Sequence, residues 1–167
     1  QNITNNAQFN EDINSFKREI KRFERGIEIL DDPELEAIKK AFISMNQAFE
    51  NPHYDGWRLF QIVFIVSMIA DIVYNDNKDY LSSEPYNYND YNIAETIFFP
   101  TGGGKTEAFL GTTALSMFYD RYIGKNYGVN TIIKYPLRLL SVQQLERTLE
   151  VIERANEVLL KTEEIKN

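Results

Sequence analysis

Thr96-Ile-Phe-Phe-Pro-Thr-Gly-Gly-Gly-Lys-Thr106 is the stretch on which the reading of this chain turns. The apolar run Ile97 to Phe99 predicts a buried strand. It breaks at Pro100 and Thr101 into Gly102, Gly103 and Gly104, and Lys105 and Thr106 then open an apolar helix. Strand, glycine loop, Lys-Thr and helix is the order that holds a nucleoside triphosphate. Without a Cβ, glycine lets backbone N–H groups curl around phosphate oxygens. The helix start adds the positive end of its dipole. On this reading the loop from Pro100 to Thr106 binds ATP. Lys105 reaches the β- and γ-phosphates, and the Thr106 hydroxyl sits on Mg²⁺. The strict pattern G-x-x-x-x-G-K-[ST] is not met, because its first glycine falls on Phe99.

Downstream of the loop, Ala108, Gly111, Leu115, Phe118 and Tyr122 mark one face of a helix running to about Ile123. Gly124 reads as its stop. Lys125 to Asn130 is a loop, and Thr131-Ile-Ile-Lys-Tyr135 predicts a second strand. Pro136-Leu-Arg-Leu-Leu-Ser-Val-Gln143 follows and opens a last helix to about Lys161, with Glu146 and Arg147 on its solvated face. A helix N-terminus with one Arg makes a phosphate site indifferent to base sequence.

Upstream, Trp57-Arg-Leu-Phe-Gln61 leads into the apolar run from Ile62 to Tyr74. That run falls short of the roughly 20 residues a bilayer needs and predicts a helix buried against a sheet. Asn75 to Asn92, rich in Asn, Asp, Tyr and Ser, reads as a long surface loop in which Tyr86, Tyr88 and Tyr91 are exposed aromatics. Further back, Ile13, Phe16, Ile20, Phe23, Ile27 and Leu30 recur by three and four. Leu35, Ile38, Phe42, Met45 and Phe49 do the same after Asp31-Asp32-Pro33, where Asp32 suits a cap and Pro33 a first helical position. Two seams and a tight turn predict a helical hairpin over 1–52, serving for packing or as a coiled-coil contact.

Taken together, Pro-Thr-Gly-Gly-Gly-Lys-Thr106, the upstream Arg58 and Gln61, and Pro136, Arg138, Leu140 and Gln143 resemble motif I, the Gln element and motif Ia of superfamily 2 helicases. The wording is most similar to the helicase-like component of the DISARM anti-phage defence system, over roughly 57–150. The resemblance implies that Gln61, with Arg58, reads the adenine of ATP. It also implies that Pro136, Arg138 and Gln143 hold the backbone of a DNA strand. Leu137 stands where the family has Thr, which removes one hydroxyl contact.

The fold so implied is α/β. It is a partial RecA-like P-loop NTPase domain, a parallel sheet flanked by helices, over 56–167, preceded by the hairpin. No Asp-Glu box on a third strand and no second RecA-like domain stand in this sequence. The expectation is therefore the N-terminal part of an ATP-dependent DNA helicase or translocase, inactive by itself, with DNA and other defence proteins as partners. Two other readings stay open. One is a different P-loop NTPase or kinase; the other is a binding or assembly piece that performs no catalysis.

The 167 residues carry a net charge of −7, which argues against non-specific polyanion binding by the whole surface. There is no Cys, so no disulfide and no thiolate metal site. The one His, His53, lies in the turn-rich Asn51-Pro-His-Tyr-Asp-Gly56 with nothing nearby to make it a base or ligand. The polar start Gln1-Asn-Ile-Thr-Asn and the absence of a long apolar span predict a cytoplasmic protein without a membrane segment.

Overall fold

Seven α-helices and one 3₁₀ turn account for the regular structure of the described residues. The computed structural model describes residues 2–50, 56–89, 94–98, 100, 102–134 and 138–164, with backbone alone at 2–7, 138–141 and 163–164. Helix α1 spans Asn2–Asp31 and α2 spans Glu36–Phe49, with the 3₁₀ turn Pro33–Leu35 between them. Asp32 caps that turn, its carboxylate accepting from the Glu34 amide at 2.9 Å. Helices α3 (Leu59–Ser67) and α4 (Ile69–Tyr74) divide the apolar run at Met68, and α5 covers Lys78–Ser82. Helix α6 is Lys105–Tyr122 and α7 is Arg138–Glu164.

One apolar core joins these helices. Ile29 of α1, Ile38 and Met45 of α2, Ile65 of α3, Ile69 and Val73 of α4, Leu115 and Phe118 of α6 and Ala155 of α7 are buried together. Helix α2 packs on α6 and α7, whereas α1 packs on α3 and α4. The approach of α1 to α3 is close: a Cβ on Gly26 would lie 2.1 Å from the Val66 carbonyl oxygen. Only glycine at this crossing allows the two backbones to meet.

The expected parallel sheet, and with it the RecA-like α/β domain, is not what forms: the described residues are all-α, with no strand among them. Ile97, Phe98 and Thr131 to Lys134 carry no regular secondary structure, and no described strand pairs with them. Phe98 is completely exposed and Ile132 nearly so. A strand is held by a neighbour that satisfies its amides and covers its side chains, and neither segment has one here. The helix from 62 to 74 is buried against α1 and α6 rather than a sheet.

The segment from 75 to 92 also differs from its reading. It contains α5, and Leu81, Tyr86 and Tyr88 are buried, while Tyr91 lies outside the described residues. The reason lies in the tyrosine hydroxyls. Tyr80 and Tyr86 donate to Asp32 at 2.7 and 2.6 Å, and Tyr88 donates to Asp71. A phenol with a carboxylate partner can enter a core that it would otherwise avoid.

Arg22 is the one buried cation among the described residues, only 2% exposed. Its guanidinium bonds Asp71 of α4 at 2.8 Å and Glu95 beyond α5. Beside it, Arg25 lies over the Tyr88 ring, 4.9 Å from the centroid. These contacts fasten the segment that leads into the glycine loop onto α1.

Candidate functional site

The glycine loop runs directly into α6. Gly104 is the residue before the helix, left-handed at φ +91°, and Gly102 has φ +77°. Both values are cheap only for glycine. The Gly103 amide closes a turn on the Pro100 carbonyl at 3.1 Å. Gly104 offers no side chain to cap α6, and among the described residues no side-chain cap bonds its first amides. Lys105 and Thr106 open that turn, both half-buried.

Trp57, Arg58 and Gln61 grip the loop from behind. The Trp57 indole donates to Asn46 of α2 at 2.8 Å and its ring lies under Gly111 of α6, where a Cβ would come within 2.9 Å of it. This fixes the start of α3. Gln61 sits in the first turn of α3, where its side-chain oxygen accepts from the Arg58 amide at 2.8 Å, one half of a capping box. Its nitrogen donates to the Gly104 carbonyl at 2.8 Å. The Arg58 guanidinium donates to the Gly103 carbonyl at 2.7 Å. Two successive glycine carbonyls are thus drawn back toward α3. A peptide unit holds its C=O and N–H on opposite sides, so pulling these carbonyls back turns the amides that follow outward.

Glu107 completes the first turn of α6. Its side chain is largely buried, with one oxygen 3.3 Å from Arg147 of α7. The other oxygen is buried and has no hydrogen-bond partner among the described residues. That same oxygen would lie 3.3 Å from a Cβ on Gly104. A carboxylate at a helix N-terminus is favoured by the dipole, and here it stands where an anion would approach.

Of the residues read from sequence, Arg58, Gln61, Pro100, Gly102, Gly103, Gly104, Lys105 and Thr106 fall in this one region. Thr101 and Pro136 lie outside the described residues. Arg138 begins α7, and Gln143 is exposed on it one turn before Arg147. Two contributors escaped the sequence reading. Glu107 directly follows Lys-Thr, which was a signal available there. Arg147 is exposed, as its place on the solvated face implies, but nothing in its spacing marks Glu107 as a partner on another helix.

The cradle fits the phosphates of a nucleotide in its glycine conformations, its uncapped helix start and its adjacent Lys105 and Thr106. Among the described residues no cluster of His, Asp or Glu is arranged to hold a metal by itself. No described helix is long and apolar enough to cross a membrane.

No protein-family model and no solved structure matches the chain. The chain is similar to the DISARM protein DrmA of Bacillus paralicheniformis, at 35% identity over 103 residues. The match takes in 58% of this chain and 8% of that protein, so the chain spans a small fraction of the length of the curated relative it matches.

Proposed function

We propose that this chain carries the ATP-phosphate loop of a DISARM-type DNA helicase or translocase acting in the cytoplasm against phage. The observation that carries the reading is the clasp of Arg58 and Gln61 on the Gly103 and Gly104 carbonyls, which sets the loop amides and the start of α6 toward one place. Lys105 is the residue for the β- and γ-phosphates, and the Thr106 hydroxyl for the Mg²⁺ that accompanies them. Bound Mg²⁺ would neutralise phosphate charge. Gln61 holds the loop through its buried amide, and reading of the adenine edge falls to the Arg58 side of the clasp. Arg138, Pro136 and Gln143 at the head of α7 are the residues for a DNA phosphate. Motion along DNA is the activity proposed for the ATP-driven protein that carries this loop.

Titration of the full 167-residue chain with Mg·ATP by calorimetry tests this reading. Saturable binding is expected, with Lys105→Ala weakening it at least about tenfold, as loss of a charged phosphate contact does. No saturable binding, or equal binding by the variant, would end it.

A further inference from the structure

Helix α1 has two apolar faces, and only one is used. The face carrying Arg22, Gly26 and Ile29 is buried against α3 and α4. The other follows positions 9, 13, 16, 20, 23, 27 and 30, alternating steps of four and three, a heptad seam kept over the helix. Along it Phe9 is 61% and Phe16 68% exposed, and Ile13, Ile20 and Ile27 are exposed as well. Phe23 and Leu30, toward the C-terminal end, rest partly on the core. A half-exposed seam of this length is larger than scattered surface hydrophobics account for.

We propose that this seam pairs two copies of the chain as an antiparallel coiled coil. Charge decides both the partner and the direction. Lys17 and Glu24, both exposed, occupy equivalent flanking positions one heptad apart. In the antiparallel register that sets Ile20 of one copy against Phe23 of the other, Lys17 of each copy faces Glu24 of the other. Glu19 then faces Gly26, with no clash of charge. A parallel pair in register sets Glu19 against Glu24 of the other copy, which is repulsive, and retains one attraction, Asp12 with Lys17. The antiparallel register also lays the exposed half, 13–20, of one copy on the half of the other that already leans on its core. The apolar layer is extended there rather than begun anew.

The test is the oligomeric state of the full chain by sedimentation equilibrium, with circular dichroism to check folding. A dimer is expected, and a monomer at about 100 μM would overturn the proposal, since a six-layer seam should bind more tightly than that. Ile20→Glu should yield a folded monomer. Should that variant fail to fold, the exposed charges serve instead. Lys17→Glu should weaken association about tenfold and the double swap K17E/E24K should restore it. A dimer indifferent to both sets of changes uses another surface, and the proposal fails. Direction is read by cross-linking in this cysteine-free chain. K17C and E24C should form the mixed disulfide when combined, and K17C joining only to itself would overturn the antiparallel arrangement.

Discussion

The Gln61 side chain bonds the Gly104 carbonyl at 2.8 Å, although the two residues stand 43 positions apart. Gln61 is 1% exposed, so neither end of its amide has water to fall back on. Gln61→Ala leaves the Arg58 amide and the Gly104 carbonyl without their partner. A loss of about 1–3 kcal/mol in urea unfolding is expected, with weaker Mg·ATP binding. Wild-type stability in the variant would show that the clasp is not holding the loop.

Gly104→Ala tests the same clasp from the other side. The new methyl would come within 2.7 Å of the Gln61 nitrogen, at a residue with φ +91°. The left-handed backbone alone costs a non-glycine residue about 1–2 kcal/mol. Destabilisation by at least that amount is expected on denaturant titration, and a smaller effect would mean that the loop relaxes.

Glu107→Gln should act in the opposite sense on ligand binding. The carboxylate places negative charge in the first turn of α6, with one oxygen buried and unpartnered among the described residues. Removing the charge should tighten binding of inorganic pyrophosphate or ATP several-fold, about 1 kcal/mol as for a like charge near a helix end. Weaker binding would assign Glu107 a direct part in holding ligand.

Arg22→Met removes a buried cation that Asp71 and Glu95 bond and Glu19 approaches at 3.8 Å. Asp71 and Glu95 would be left beside apolar surface, and breaking such a group costs about 3–5 kcal/mol. Thermal and urea unfolding should both register it. The double variant that also carries Asp71→Asn should recover part of the loss, because one stranded charge is gone. No recovery would mean that packing of the arginine stem dominates.

Asp32 gives a pH prediction. Burial pushes its carboxyl up, but hydrogen bonds from Tyr86, Tyr80 and the Glu34 amide outweigh that and hold it below its ordinary 3.8. The charged form is thus favoured by folding. The stability it contributes is present above the ordinary value and is lost as pH falls through the lower folded one. Asp32→Asn should flatten stability against pH in that acid window while costing stability at neutral pH. An unchanged acid slope would show that Asp32 is not bonded in solution.

The helices were legible because a three-and-four apolar spacing states where a helix goes without reference to anything distant. The extents of α6 and α7 and the turn at Asp32 followed from short-range pattern, whereas the link of Arg58 and Gln61 to the glycine loop was implied only by the family resemblance. The sheet did not, because Ile97-Phe-Phe99 and Thr131 to Tyr135 record a preference for extended backbone, and a sheet also needs a neighbour. Tyr86 and Tyr88 were misplaced for a related reason. Composition marked them as surface, while their burial depends on Asp32 and Asp71, residues far away in sequence. Glu107 with Arg147 was hidden in the same way, since a pair formed between two helices leaves no periodic trace in either.

The ion pair between Arg22 and Glu95 also sets a length. From Glu95 to Pro100 the chain can stretch no farther than roughly 17 Å. The entrance of the glycine turn is therefore moored by a short cable to an arginine sunk in the middle of α1. A tilt of α1 thus bears on the mouth of the cradle through this tether as well as through α3.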